Sequence, residues 1–136
     1  MKTNMNMTGQ EKALLFNFRE KSQLQAVQMA LFLAQVQCRI VSKQEYGVPL
    51  KILAADEKAP FAAYNGPELD GQMMVFVELG EDKLESVLSL LHSNPACGKI
   101  PYKAVLTQTN QNWNGIDLLE ELRKEHAAME LARGTV

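Results

Sequence analysis

Short apolar runs alternate along this chain with stretches of helical periodicity, and this alternation limits the fold more than any other feature. Four runs have the length and composition of β-strands, at residues 13–18, 38–42, 73–79 and 102–107. Helical patterns follow them at about 20–37, just after Pro49, from 82 onward and at about 116–132. The β-α-β-α-β-α-β-α order predicts an α/β domain with a single four-stranded, at least partly parallel sheet flanked by helices.

The third strand candidate, MMVFVEL at residues 73–79, is nearly continuous in apolar character, which is typical of a central strand covered on both faces. About 30 residues separate the second strand from the third, which favours a crossover over a hairpin loop of about two to five residues. The alternative is a ferredoxin-like α+β fold with an insertion between these two strands. No internal repeat is visible in the sequence.

Polar residues mark the expected ends of the helices. Ser22 with Gln25, and Asp82 with Glu85, have the spacing of capping boxes. Asn114 is a candidate N-cap of the last helix, because its side chain can accept a hydrogen bond from a free N–H group of the first turn. Residues 56–72 contain two prolines and two glycines and predict a long irregular loop.

Composition and charge exclude several classes of function. The chain of 136 residues is 46% hydrophobic and 22% charged, which is typical of a globular protein, and its formal net charge is −2. Acidic and basic residues are interleaved, so the basic surface needed to bind a nucleic acid is not expected. Cys38 and Cys97 are far apart and lack the spacing of metal ligands. We therefore expect neither a metal nor a cofactor.

The same features predict the domain organisation and location. Residues 1–10 are polar and predict a disordered leader, whereas residues 11–136 predict a single α/β domain. The leader lacks the apolar centre of a signal peptide, and no apolar run approaches the roughly 20 residues that cross a bilayer. We expect a cytoplasmic protein that does not bind membranes.

The segment Gln108–Gly115 (QTNQNWNG) is the best candidate for a ligand site. It follows the fourth strand and precedes the last helix, where α/β proteins bind ligands and where free N–H groups attract anions. Its amide side chains offer both donors and acceptors. The residues expected to contact a small polar or anionic ligand are Lys103, Thr107, Thr109, Asn110, Asn112, Trp113 and His126. The alternative is that these turn-forming residues only cap the helix.

Two other features leave different functions open. A small enzyme would use either His126, as a general base, or Cys97 as its reactive group, but no complete catalytic set accompanies either residue. The helix pattern at residues 20–37 has a broad apolar face that a homodimeric structural subunit would bury.

The C-terminal part of the chain resembles a bacterial domain-of-unknown-function family, number 3783. The resemblance is carried by KIPYKAVLTQTNQNW and, further on, EELRKEHAAME, in a family pattern where leucine usually replaces Tyr102. It implies a small bacterial cytosolic protein and assigns no activity. We interpret the chain as a non-catalytic binding or regulatory module that recognises a polar ligand or a protein partner through the loop before the last helix.

Overall fold

The computed structural model describes residues 10–58 and 60–134, which contain four strands and four α-helices. The strands are β1 Lys12–Phe16, β2 Gln37–Val41, β3 Met73–Val77 and β4 Tyr102–Val105. The helices are α1 Lys21–Leu33, α2 Leu50–Ala54, α3 Glu81–Ser93 and α4 Gly115–Gly134. The expected leader falls on residues 1–9, which lie outside the described part, and on Gln10.

The four strands form one mixed sheet in the order β2-β1-β3-β4. β1 is parallel to β2 and β3 is parallel to β4, whereas β1 and β3 pair antiparallel at the centre. The predicted α/β class, the order of elements and the partly parallel sheet are confirmed, and the parallel outer pairs exclude the ferredoxin-like alternative. The connection from β2 to β3 crosses over β1, so the crossover that its length predicted is confirmed, and it joins two strands that run in opposite directions.

The helices cover the two faces of the sheet alternately, and each face has its own core. α1 and α3 bury residues such as Val27 and Val87 against one face, together with Leu15 of β1. α2 and α4 bury Leu53 and Leu118 against the other. Because β1 and β3 are covered on both sides, every residue of these strands is buried, as the apolar run at residues 73–79 predicted.

Two predicted capping boxes are wrong. α1 begins after Glu20, whose carboxylate accepts hydrogen bonds from the N–H groups of Ser22 and Gln23. α3 begins after Gly80, which has no side chain to cap the helix. The prediction for α4 is confirmed, because Oδ1 of Asn114 accepts from the N–H group of Asp117 at 2.9 Å.

The structure contains an internal repeat that the sequence did not reveal. Residues 12–54 (repeat 1) and residues 73–134 (repeat 2) each have the order β-α-β-α, and the first helix of each has 13 residues. In both, the residue after the first strand has a positive φ, 69° at Asn17 and 62° at Glu78. The sheet order is the same when read from either edge, so the repeats are related by a two-fold pseudo-symmetry at the β1–β3 pair.

The turn before the second helix is also repeated. Ser42 and Glu45 bond each other's backbone N–H groups in a capping box, and Thr107 and Asn110 do the same in repeat 2. In each turn the third residue after the box closes a 3.0 Å hydrogen bond: Val48 N–H to the carbonyl of Glu45, and Trp113 N–H to the carbonyl of Asn110. Corresponding positions can therefore be assigned residue by residue.

Gly115 allows α4 to approach β1 closely. A Cβ atom at this position would lie 2.5 Å from Cε2 of Phe16, whose side chain is fully buried. We expect Gly115→Ala to lower the free energy of unfolding by about 1–3 kcal/mol, because the ring has to move within a packed core. Urea unfolding followed by circular dichroism measures this change.

Gly47→Ala is the matched control, because a Cβ atom there would meet no atom within 4 Å. Equal stability of the two variants would contradict the close contact between α4 and β1.

Candidate functional site

The loop between β4 and α4 is held by its own polar side chains. Asn110, which is 7% exposed, donates from Nδ2 to the carbonyl of Val105 at 3.0 Å and accepts at Oδ1 from the N–H group of Thr107 at 2.9 Å. Oγ1 of Thr107 accepts from the N–H group of Asn110 in return. These two side chains therefore fix the shape of the loop.

The backbone of the same loop caps α2 of the other repeat. The carbonyl of Trp113 accepts from the N–H group of Leu50 at 2.8 Å, and the carbonyl of Gln111 accepts from that of Lys51 at 2.9 Å. First-turn N–H groups of a helix have no partner within the helix, so these bonds satisfy two of them. The loop is thus tied to α2, and the partly buried ring of Trp113 packs against the core that α2 and α4 share.

Two loop side chains remain available at the surface. Thr109 and Asn112 are exposed, and within residues 10–58 and 60–134 neither side chain makes a hydrogen bond. They can contact a ligand without disturbing the loop.

The structure does not bring all seven expected residues together. Lys103 pairs in register with Met74 on the α1/α3 face, where Nζ donates to the carbonyl of Ile100 at 2.8 Å and burial lowers the pKa of the ammonium group. His126 is exposed on α4 and stacks on Tyr102, with ring centroids 4.9 Å apart, on the opposite face. Only the loop residues among the seven are neighbours.

A cleft of about 420 Å³ lies beside the loop, at the carboxyl ends of β3 and β4. The loop contributes Gln111, α2 contributes Lys51 and Ala54, and the sheet contributes Val77 and Lys12. The remaining lining residues are Gln10, Ala55, Asp56, Glu78 and Leu106. Four of these residues are charged, two lysines and two acids, so the lining is formally neutral.

Lys12, the most buried charged residue of this cleft, is not among the seven residues that the sequence indicated. Its side chain is 2% exposed, and Nζ donates to Oδ2 of Asp56 at 2.7 Å. Oδ1 of Asp56 accepts from Nε of Arg39, also at 2.7 Å, and Arg39 bonds both carboxylate oxygens of Glu45. A lysine at the start of an apolar strand is usually exposed to solvent. The sequence therefore did not indicate that Lys12 is buried and paired with Asp56.

These ion pairs change the acidity of the groups involved. The hydrogen bond from Lys12, with a further contribution from Arg39, lowers the pKa of the Asp56 carboxyl, although partial burial acts in the opposite direction. The hydrogen bond from Arg39 is the main reason that the pKa of Glu45 is lowered. The Asp56 carboxylate is therefore stabilised in its charged form by two cations.

Two charged side chains of the cleft have no such partner. Within the described residues, neither Lys51 nor Glu78 makes an ion pair or a side-chain hydrogen bond, and both are exposed. Glu78 has a φ of 62°, in the left-handed region, so its side chain does not continue the alternation of β3. The cleft thus presents one ammonium and one carboxylate that a ligand can contact.

The thiols and acidic residues do not form a second site. Cys97 is buried beneath α1 and α3, and burial raises the pKa of its thiol. Burial is also the main reason that the pKa of Cys38 is raised. Among the residues that the structure describes, no three of His, Cys, Asp and Glu are grouped so that they could hold a metal ion, and no helix is long and apolar enough to cross a membrane.

The family described as Domain of unknown function (DUF3783) matches residues 72–129. This segment is similar to DUF3783. The match confirms the resemblance carried by the residues around Trp113 and His126. It contains β3, α3, β4 and most of α4, so DUF3783 corresponds to repeat 2, and repeat 1 lies outside the match. No curated protein and no solved structure is significantly similar to the chain.

The hydrogen bonds of Asn110 predict a structural effect of its removal. We expect Asn110→Ala to lower the free energy of unfolding by about 1–3 kcal/mol, because the N–H group of Thr107 and the carbonyl of Val105 lose their partner in a buried place. Asn112→Ala, in the same DUF3783 loop, is the control and should change stability by less than about 0.5 kcal/mol. Urea unfolding measures both, and equal effects would contradict this role of Asn110.

The ion pair of Asp56 predicts a pH dependence. Because the folded-state pKa of Asp56 is lowered, its contribution to stability is complete above the ordinary pKa of the carboxyl and is lost as the pH falls through the lowered value. We expect the stability difference between the wild type and Asp56→Asn to shrink between about pH 5 and pH 2. Urea unfolding at several pH values measures it. A difference that stays constant would contradict the ion pair.

Proposed function

We propose that the chain is a non-catalytic binding module that recognises a ligand with polar and charged groups in the cleft beside the loop at residues 108–114. The observation that carries this proposal is the presence of Lys51 and Glu78, an ammonium and a carboxylate without partners among the described residues, in one cleft with the side-chain amide of Gln111. Groups of this kind can fix the orientation of a ligand when they face one concavity, as Lys51, Glu78 and Gln111 do here.

The size and charge of the cleft indicate the kind of ligand. A volume of about 420 Å³ is within the range of small-molecule sites, about 300–1,000 Å³. Lys12 is already neutralised by Asp56, so the charges left for the ligand are those of Lys51 and Glu78. A molecule with both a carboxylate and an ammonium group, such as an amino acid, complements this pair.

The loop acts in this proposal mainly by position. Thr107 and Asn110 hold the loop, and the carbonyls of Gln111 and Trp113 fix it to α2, so that Gln111 and Lys51 remain side by side at the cleft. Thr109 and Asn112 are the loop side chains free to contact a larger ligand. Lys103 and His126 lie outside the cleft, so they would contact only a larger partner that extends beyond it.

The enzyme alternative has less support from the geometry. His126 is exposed on the α2/α4 side and stacks on Tyr102, whereas Cys97 is buried on the α1/α3 side of the sheet. The raised pKa of Cys97 makes its thiol a poorer nucleophile at neutral pH. Each of these candidate groups would therefore have to act without the other.

A second candidate, an interface between two copies of the chain, is favoured by the apolar surface at the end of α1. Met29, Phe32 and Leu33 are 56%, 75% and 62% exposed, although they belong to the broad apolar face of this helix. The molar mass in solution distinguishes one copy from two.

We place the module in the cytoplasm, because Cys38 and Cys97 are free thiols.

The ligand site can be tested with free amino acids as probes. We expect millimolar aspartate, glutamate, glutamine or lysine, added one at a time to the ¹⁵N-labelled protein, to shift the amide signals of Lys51, Glu78 and Gln111. Lys51→Ala should weaken the affinity for the amino acid that binds by about tenfold, because one charged contact is lost.

Lys124→Ala is the matched control, since Lys124 is also an exposed helical lysine but lies on α4 away from the cleft. It should bind like the wild type. Shifts that are unchanged in Lys51→Ala, or no shift at the cleft with any of the probes, would contradict a small-molecule site there.

A further inference from the structure

The internal repeat shows what kind of molecule fits the cleft. In repeat 1 the corresponding place, at the carboxyl ends of β1 and β2, is covered by the chain's own irregular segment, residues 64–71. Asn17, the counterpart of Glu78, donates from Nδ2 to the carbonyls of Leu69 and Gly71, at 3.1 and 3.5 Å. This end of the sheet thus binds a peptide backbone.

Three side chains of the covering segment anchor it, those of Leu69, Glu68 and Tyr64. Leu69 is 8% exposed and belongs to the same core cluster as Phe16. Oε1 of Glu68 accepts a hydrogen bond from the hydroxyl of Tyr46 at 2.6 Å. The ring of Tyr64 packs on that of Tyr46, with centroids 5.7 Å apart. An acidic residue followed by leucine is therefore the core of the bound sequence.

The cleft of repeat 2 is lined by the counterparts of Phe16, Asn17 and Tyr46, although no counterpart of Arg19, which forms an ion pair with Glu68, is among its lining residues. Val77 takes the place of Phe16, Glu78 that of Asn17, and Gln111 that of Tyr46. Each replacement is a smaller or more flexible side chain. Glu78 is exposed and Gln111 is partly exposed, whereas Val77 is buried and forms part of the cleft wall. The cleft is consequently the open counterpart of a place that holds a peptide segment.

The replaced side chains change what the cleft recognises. Glu78 only accepts hydrogen bonds, so it binds a backbone N–H group where Asn17 binds carbonyls. The amide of Gln111 donates as the hydroxyl of Tyr46 does, and Lys51 adds a positive charge beside it, which suits a carboxylate. Val77, Ala54 and Leu106 offer an apolar floor for an aliphatic side chain.

We propose that the cleft binds a peptide segment of another protein that carries an acidic residue next to an aliphatic one. This inference rests on the proposed binding function and names the ligand class of the same site. The acidic side chain contacts Lys51 and Gln111, the aliphatic side chain lies on Val77, and a backbone N–H group donates to Glu78.

The test uses a peptide with acetylated and amidated ends and the sequence of residues 64–71, YNGPELDG, added to the ¹⁵N-labelled full chain. We expect shifts at Val77, Glu78 and Gln111 and a Kd of about 0.1–1 mM, as for a short peptide with few anchoring groups. Replacing the peptide's glutamate by lysine should weaken binding by about tenfold or more.

Variants of the protein separate this site from the rest of the surface. Lys51→Ala should weaken binding of the YNGPELDG peptide about tenfold, and Lys124→Ala should leave it unchanged. Because Lys51 is exposed, its replacement is not expected to affect folding. A melting curve of each variant confirms that the comparison is made between folded proteins.

Four results would overturn the proposal. Shifts of amide signals confined to Asn17 and Tyr46 would mean that the peptide only replaces residues 64–71 at the other end of the sheet. Binding seen only with a chain that starts at Gln10 would assign the cleft to the chain's own first residues. Binding of free amino acids without any binding of peptides would overturn the peptide ligand and leave the proposed function intact. Absence of both kinds of binding would overturn the two proposals together.

Discussion

The antiparallel pairing of β1 with β3 is the contact on which the rest of the structure depends. Its five register pairs run from Lys12 opposite Val77 to Phe16 opposite Met73, and all ten residues are buried. Burial of one large aliphatic or aromatic side chain contributes about 1.5–3 kcal/mol, so this ladder is a large part of the core. Within residues 10–58 and 60–134 it is also the only strand pairing between the two repeats, and it places helices of both repeats on each face of the sheet.

The cleft is a consequence of that arrangement. α2 belongs to repeat 1 and the loop at residues 108–114 belongs to repeat 2, yet the carbonyls of Gln111 and Trp113 cap α2 directly. The site therefore forms between the repeats and combines groups from both. Its partner at the other end of the sheet is closed by residues 64–71 of the long loop between α2 and β3, which gives that loop a structural role. The two repeats thus differ at the ends of the sheet, where one place is covered and the other is open.

Part of this could be predicted from the sequence. Apolar runs and helical periodicity depend on the nearest neighbours in the chain, so the strands and helices were located within a few residues. Capping boxes were less predictable, because the same spacing occurs wherever polar residues are common. Ser22 and Asp82 have the spacing of a capping box but do not cap a helix. Ser42 and Thr107 form capping boxes, although they were predicted as the last residues of strands.

The seven expected site residues illustrate the same limit. Proximity in sequence correctly indicated that the loop at residues 108–114 is polar and lies at the end of a strand, but it did not show that Asn110 bonds the loop's own backbone. Proximity in sequence also could not show that Lys103 and His126 lie on opposite faces of the sheet. Successive residues of a strand point to opposite faces, and α4, which carries His126, packs on the face opposite to that of Lys103.

The order of the elements and the fold class follow from the amino-acid sequence, because both depend on local periodicity and on the need to bury apolar faces. The strand order, the internal repeat and the composition of the cleft arise in the folded chain. These features depend on which distant residues meet. Lys12 meets Asp56 because α2 packs against β1, and Gln111 comes to lie beside Lys51 because the loop of repeat 2 caps α2 of repeat 1.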